Sequence, residues 1–151
     1  MPQASVKRII NCKKQKLIEL VLDIEKYPEF VPFCQNAKIY SNETNANINN
    51  IVADLTIGKG PFIDTYKSDV NYELKNDLIK VKNIDGPLKY LFNTWHFKEH
   101  NNLTEIKFEI DFEIENKFLN ILMSKSFKFG LEKIADAFQK RADELFGNFK
   151  N

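Results

Sequence analysis

Few side chains in this 151-residue chain could support covalent or proton-transfer chemistry. The thiols are Cys12 and Cys34, and the imidazoles are His96 and His100. Neither cysteine has a histidine near it in sequence, and no serine stands in a nucleophile-elbow or triad context. Two cysteines are too few for a four-thiolate zinc site. Cys34, next to Pro32 and Phe33, reads as a small core hydrophobe. His96 lies between Trp95 and Phe97 in a strand-like run. It reads first as a face-alternating strand residue, and as a general base only if the protein is an enzyme. Asp64, Asp69 and Asp77 read as loop or wet-face residues, and Glu109, Asp111 and Glu113 as one solvated strand face. Gly58-Lys59-Gly60 is too short for a phosphate loop and lies between strands. No catalytic residue, metal ligand or catalytic cofactor is assigned on these grounds.

The surplus is aromatic: 13 Phe, 5 Tyr and 1 Trp. Phe62, Tyr66, Trp95, Phe97, Phe108 and Phe112 fall on the inner faces of strand patterns, and Phe127, Ile134 and Phe138 on a helical one. Such residues make either a plain aromatic core or the wall of an apolar cavity, and cavities of roughly 300–1,000 Å³ take hydrophobic small molecules.

The elements that position them follow from periodicity. Gln3 to Ile10 reads as a strand, and Asn11 can cap the next helix. Leu17, Leu20, Val21 and Ile24 form one helical stripe, which is expected to stop near Tyr27, ahead of Pro28. Strand patterns follow at Asn36–Asn42, Asn47–Ile57, Phe62–Tyr72, Leu78–Ile84 and Leu88–Lys98. The clearest is the last, where Thr104, Ile106, Phe108, Ile110, Phe112 and Ile114 alternate with polar residues. The turns fall at Gly58–Pro61 and Asp85-Gly86-Pro87. Toward the C-terminus the apolar stripe widens over Phe118–Met123 and then rotates. This predicts a short helix near Asn116–Met123, a bend, and a long helix from Lys125 to Phe146. Gly130 is a place for such a bend or for a close approach. The order predicts an α+β fold: an antiparallel curved sheet of six to seven strands wrapped around a long C-terminal helix, as one domain spanning 1–151.

Composition narrows the function. Net charge is +1, from 22 basic and 21 acidic residues, which gives no case for a general DNA or RNA binder. Of the basic residues 20 are lysine, a bias that weakens any single lysine as an anion site. Arg8 and Arg141 are the exceptions, and both read as solvated or surface-paired. Neither a signal-peptide pattern nor a run of about 20 apolar residues is present, so a soluble, cytoplasmic protein is expected.

Tyr27-Pro28-Glu29-Phe30-Val31-Pro32-Phe33-Cys34 resembles the YPxFxPxC signature of the START-like coenzyme Q-binding family, which includes the bacterial RatA proteins. Asp85-Gly86-Pro87-Leu88-Lys89 with Trp95 and Phe97, the Phe108–Phe112 strand, and Ala137-Phe138…Arg141-Ala142 resemble its remaining motifs, in order and over nearly the whole chain. The resemblance implies a helix-grip (START/Bet v 1-like) fold with a hydrophobic tunnel between sheet and helix. It implies ubiquinone or a related isoprenoid lipid as bound ligand, in a chaperone or shuttle that supports respiration without catalysing a reaction. The lipid-binding set is then Phe30, Val31, Pro32, Phe33, Ile57, Phe62, Tyr66, Leu91, Trp95, Phe97, Phe108, Phe112, Leu122, Phe127, Ile134 and Phe138. The Phe30–Cys34 segment, the Gly58–Pro61 turn and the Phe118–Met123 helix are candidates for a movable mouth. Further implied partners are the cytoplasmic face of the inner membrane and respiratory complexes. A RatA-type toxin would instead bind the large ribosomal subunit and inhibit subunit association, with Lys13, Lys14 and Lys16 as RNA contacts. An aromatase/cyclase-like enzyme, with His96 as base, is a third reading.

Overall fold

The computed structural model describes residues 3–58, 60–61, 63–86, 88–115 and 117–146, with backbone alone for 3, 114 and 117–129. Seven strands form one antiparallel sheet: β1 (Gln3–Ile10), β2 (Cys34–Asn45), β3 (Ile48–Ile57), β4 (Asp64–Glu73), β5 (Leu78–Asp85), β6 (Leu88–His100) and β7 (Leu103–Ile114). Their order is β1-β7-β6-β5-β4-β3-β2. After β1, helix α1 (Lys14–Leu22) and a 3-10 segment (Ile24–Glu29) cross to the opposite edge, and helix α2 (Lys117–Phe146) closes the chain. This is the helix-grip arrangement expected of the sequence.

The period-2 pattern decides which face is buried. Val6, Ile51, Ala53, Val70, Ile79, Trp95, Phe97, Ile106, Phe108 and Phe112 are buried on the concave side, while their chain neighbours face water. Register aligns them across the strands: Ile51 opposite Val70, Val70 opposite Val81, Ile79 opposite Trp95, and Trp95 opposite Phe108. Register shifts in β2, at Lys67/Ser68 and at Leu88/Tyr90 add the local bend and twist by which a sheet curls around a helix. Helix α2 packs on β1, β7 and α1. Leu131, Ala135, Phe138 and Ala142 are its buried stripe, at helical spacing.

Three local expectations are corrected. Asn11 does not cap α1: the cap position is Lys13, with no side-chain cap bond. The first turn is held instead by two distant carboxylates, Glu99 of β6 accepting from Lys14 N at 3.1 Å and Asp77 of the β4–β5 connection from Lys14 Nζ at 2.8 Å. The α-helix ends at Leu22 rather than near Tyr27, and Pro28 sits inside the 3-10 segment. There Tyr27 O accepts from both Phe30 N at 3.1 Å and Val31 N at 2.8 Å, so the turn closes beyond the proline without its missing donor. The expected division near residue 124 into a short and a long helix is not found, since α2 is one continuous helix of 30 residues. It contains no proline, and the backbone ladder needs no constant apolar face.

Candidate functional site

Among the described residues, the concave face carries a cluster of rings against the C-terminal half of α2. Phe138 meets Trp95 edge-on at 5.1 Å, Phe30 at 5.1 Å and Tyr27 at 5.4 Å. Trp95 stacks on Phe108 at 4.3 Å and lies parallel to Phe97 at 6.4 Å. The Tyr27 hydroxyl donates to Val21 O at the end of α1, and burial raises its pKa. Arg141, one turn beyond Phe138, lies over the Phe30 ring at 5.0 Å and bonds Glu29 at 2.6 Å. Of the expected lipid-binding set, Phe30, Trp95, Phe97, Phe108 and Phe138 therefore converge. Ile134 and Val31 are half-buried and packed against this core.

Beyond the rings, toward the end where β3 leads into β4 and β5 into β6, the concave wall is more open. Leu55, Tyr66, Val81, Leu91 and Ile110 are only half-buried there. They belong to one surface: Leu55 is opposite Tyr66, and Leu91 is opposite the buried Phe112. Three polar residues interrupt it. Ser68 and Asn93 are buried, and Asn83, opposite Ser68, is half-buried. Asn93 Oδ1 accepts from Trp95 Nε1 at 3.1 Å, and its Nδ2 donates to Glu109 O at 2.8 Å. Asn83 Oδ1 accepts from Leu91 N at 2.9 Å. The alternation that puts Asn93 two residues from Trp95 and Ser68 two from Val70 was the signal for these positions.

The other expected positions stand apart. Phe33 is 41% exposed in a left-handed conformation (φ 66°), and Ile57 is also exposed. Phe33 O accepts from Gly58 N at 2.9 Å, which ties the turn before β2 to the turn after β3. Pro32 is half-buried. Phe62 lies outside the described residues, and Leu122 and Phe127, like the Phe118–Met123 segment, are described only as helical backbone.

His96 does not face the concave wall. It lies on the convex face, its side chain 52% exposed, 3.5 Å from Glu109. There a depression of about 250 Å³ is lined by Lys7, His96, Phe97, Lys98, Glu105 and Lys107. The reading of His96 as a base inside a tunnel is corrected by strand parity: Trp95 and Phe97 point inward, so His96 points out. Cys12 and Cys34 are both free and buried, and burial raises both thiol pKa values. Among the described residues no group of three metal-ligating side chains converges, and no helix is long and apolar enough to cross a membrane.

Residues 12–139 match the family described as Polyketide cyclase / dehydrase and lipid transport. The chain is similar to the ribosome association toxin RatA of Rickettsia prowazekii, 36% identical over 141 residues covering 91% of this chain and 94% of that one. It is 32% identical over 136 residues to the mitochondrial coenzyme Q-binding protein COQ10 of Dictyostelium discoideum, covering 88% of this chain and 65% of that protein. A START superfamily protein from Mycobacterium smegmatis has the same fold, with a TM-score of 0.80 over 95% of this chain and 98% of that one at 16% identity. With the match running from α1 through most of α2, the chain belongs to the polyketide cyclase / dehydrase and lipid transport family.

Proposed function

We propose that the protein binds ubiquinone or a related isoprenoid lipid on its concave face and carries it without chemical change. The observation that carries this reading is the half-open apolar wall of Leu55, Tyr66, Val81, Leu91 and Ile110 above a closed ring cluster. Apolar side chains on an inner face are normally sealed by their neighbours, and a wall left accessible there is suited to an apolar guest. The relative named for coenzyme Q binding supports the same ligand class. A carrier rather than an enzyme accords with the wall's functional groups, which are neutral hydroxyls and amides, and with the outward placement of His96. The test is mass spectrometry of lipid extracted from protein purified from a quinone-producing host. Co-purified quinone, and thermal stabilisation by added quinone, are expected. Repeated absence of both overturns the reading.

The relative named as a ribosome association toxin, matched over nearly its full length, favours a second reading in which the protein docks on the large ribosomal subunit. Of the lysines first considered for it, Lys14 is engaged by Asp77, and Lys16 lies 5.9 Å from the centre of the Phe146 ring. Co-sedimentation with purified large subunits at physiological salt distinguishes the two readings. A shift to the subunit fraction supports docking, and no shift removes it.

A further inference from the structure

The polar interruption of the concave wall has hydrogen-bond donors that no described group accepts from. Of the three buried polar residues among those described, Thr104 is satisfied, its hydroxyl donating to Cys12 O at 2.8 Å. The other two, Ser68 and Asn93, share the lipid-facing wall with Asn83. Both asparagine side-chain oxygens are already acceptors, one for Trp95 Nε1 and one for Leu91 N. Those partners can only donate, so the two amides cannot be flipped. Asn93 Nδ2 spends one hydrogen on Glu109 O and keeps another. Asn83 Nδ2 and the Ser68 hydroxyl have no hydrogen-bond partner among the described residues. Ser68 and Asn83 are directly opposite across β4 and β5, and Asn93, opposite Val81, is the diagonal neighbour of Asn83.

We infer that Ser68, Asn83 and Asn93 form a donor notch that holds a carbonyl oxygen of the bound headgroup. This rests on the reading of the concave wall as a lipid site and names what that site recognises. Among the described residues the inward-facing neighbours of the notch, Leu55, Val70, Val81, Leu91 and Ile110, are uncharged, which suits a neutral headgroup. A quinone ring offers acceptors and no donors. The spare amide hydrogens of Asn83 and Asn93 and the Ser68 hydroxyl can all point at such an oxygen.

Trp95 is the only tryptophan of the chain and is bonded to the notch, so its emission reports occupancy. The test is titration of the full chain with decylubiquinone, with decylubiquinol and with phytane, an isoprenoid without a headgroup, each delivered from micelles. Calorimetry is run alongside the emission. Ser68→Ala removes one donor. Asn83→Asp keeps the acceptor for Leu91 N and replaces the free amide nitrogen by an oxygen. Each is expected to weaken quinone binding about ten-fold, the worth of one hydrogen bond to a buried acceptor. Phytane affinity stays unchanged in Ser68→Ala, which adds no charge to the wall, and decylubiquinol, whose oxygens also accept, weakens in parallel with the quinone. Unchanged melting curves for Ser68→Ala keep the result interpretable if Asn83→Asp is less stable. Quinone affinities of both variants within two-fold of the parent, with the parent binding phytane and quinone alike, overturn the notch and leave the lipid reading standing. A parent that binds neither ligand overturns both.

Discussion

Arg141 Nη2 lies 2.6 Å from Glu29 Oε1, and the same guanidinium covers the Phe30 ring at 5.0 Å. The contact joins the 3-10 segment to α2 across 112 residues of sequence. Arg141 is four-fifths buried and its Nε has no partner among the described residues, so its stem and ring contact contribute more than its charge. Arg141→Ala is expected to cost about 1–2 kcal/mol in urea unfolding, in the usual range for a lost ring contact and packed stem. Arg141→Lys should fall between, because an ammonium keeps the charge but not the planar stack. Glu29→Gln should cost clearly less than Arg141→Ala, and equal losses would place the stabilisation in the ion pair instead.

The same pair sets an acid dependence. The hydrogen bond from Arg141, helped by Lys26, holds the Glu29 carboxyl below its ordinary value of 4.5. A carboxyl lowered by folding stabilises the native state above the unfolded value and stops doing so as pH falls through the folded one. Urea midpoints of the parent and Glu29→Gln should therefore converge below pH 4. A constant gap between them at low pH would contradict this.

At the alkaline end the sign reverses. Burial, with Asp143 and Glu99 adding to it, pushes the Cys12 thiol from 9.0 up to about 11. The native state then holds the proton more tightly than the unfolded chain. Its contribution is complete below pH 9 and is lost as pH rises through 11. Tyr27, also raised by burial, acts in the same direction at higher pH. Between pH 8.5 and 11 the stability of Cys12→Ala should decline less steeply than that of the parent. Parallel curves would show that Cys12 does not contribute.

Two glycines should respond in opposite ways. Gly86 has φ 132°, and a Cβ there would meet Thr65 O at 3.1 Å and Tyr66 Cα at 3.3 Å. Gly86→Ala should cost more than about 2 kcal/mol, since backbone strain and backbone crowding combine. Gly130 lies within α2, and a Cβ there meets nothing within 4 Å. Gly130→Ala should stabilise by about 0.5–1 kcal/mol through helix propensity. Thermal melts give both signs, and a destabilised Gly130→Ala would mean that the residue serves as a hinge.

Phe138 touches Tyr27, Phe30 and Trp95 and is 1% exposed. Phe138→Ala should cost about 3–5 kcal/mol and shift Trp95 emission to the red as water reaches the indole. Loss of stability with unchanged emission would mean that the cluster closes over the gap.

The sheet was legible in the sequence because strand alternation is a local signal. Thr104 through Phe112 alternate as expected, and register carries that parity to Trp95 and Phe97. The same parity places His96 outside. What the pattern could not show was tertiary rescue. The start of α1 is held by Glu99 and Asp77, 85 and 63 residues away, rather than by Asn11, and no local signal reports partners so distant. Continuity of α2 was hidden for a related reason: the drifting apolar stripe records what the helix packs against, not where its backbone breaks. Ser68, Asn83 and Asn93 are of types common on wet faces, and only their inward parity, fixed by register, sets them apart. On an apolar face, the exception in the alternation carries the information.

The residues that make the family recognisable are, in the folded chain, largely fasteners. Tyr27, Phe30, Phe138 and Arg141 bolt one crossing segment to the long helix, and Gly86 lets the β5–β6 turn come close to the start of β4. The wall residues Leu55, Tyr66, Val81, Leu91 and Ile110 take no part in that fastening. A chassis bolted together away from its wall is compatible with look-alike chains that bear names as distant as ribosome association and coenzyme Q binding.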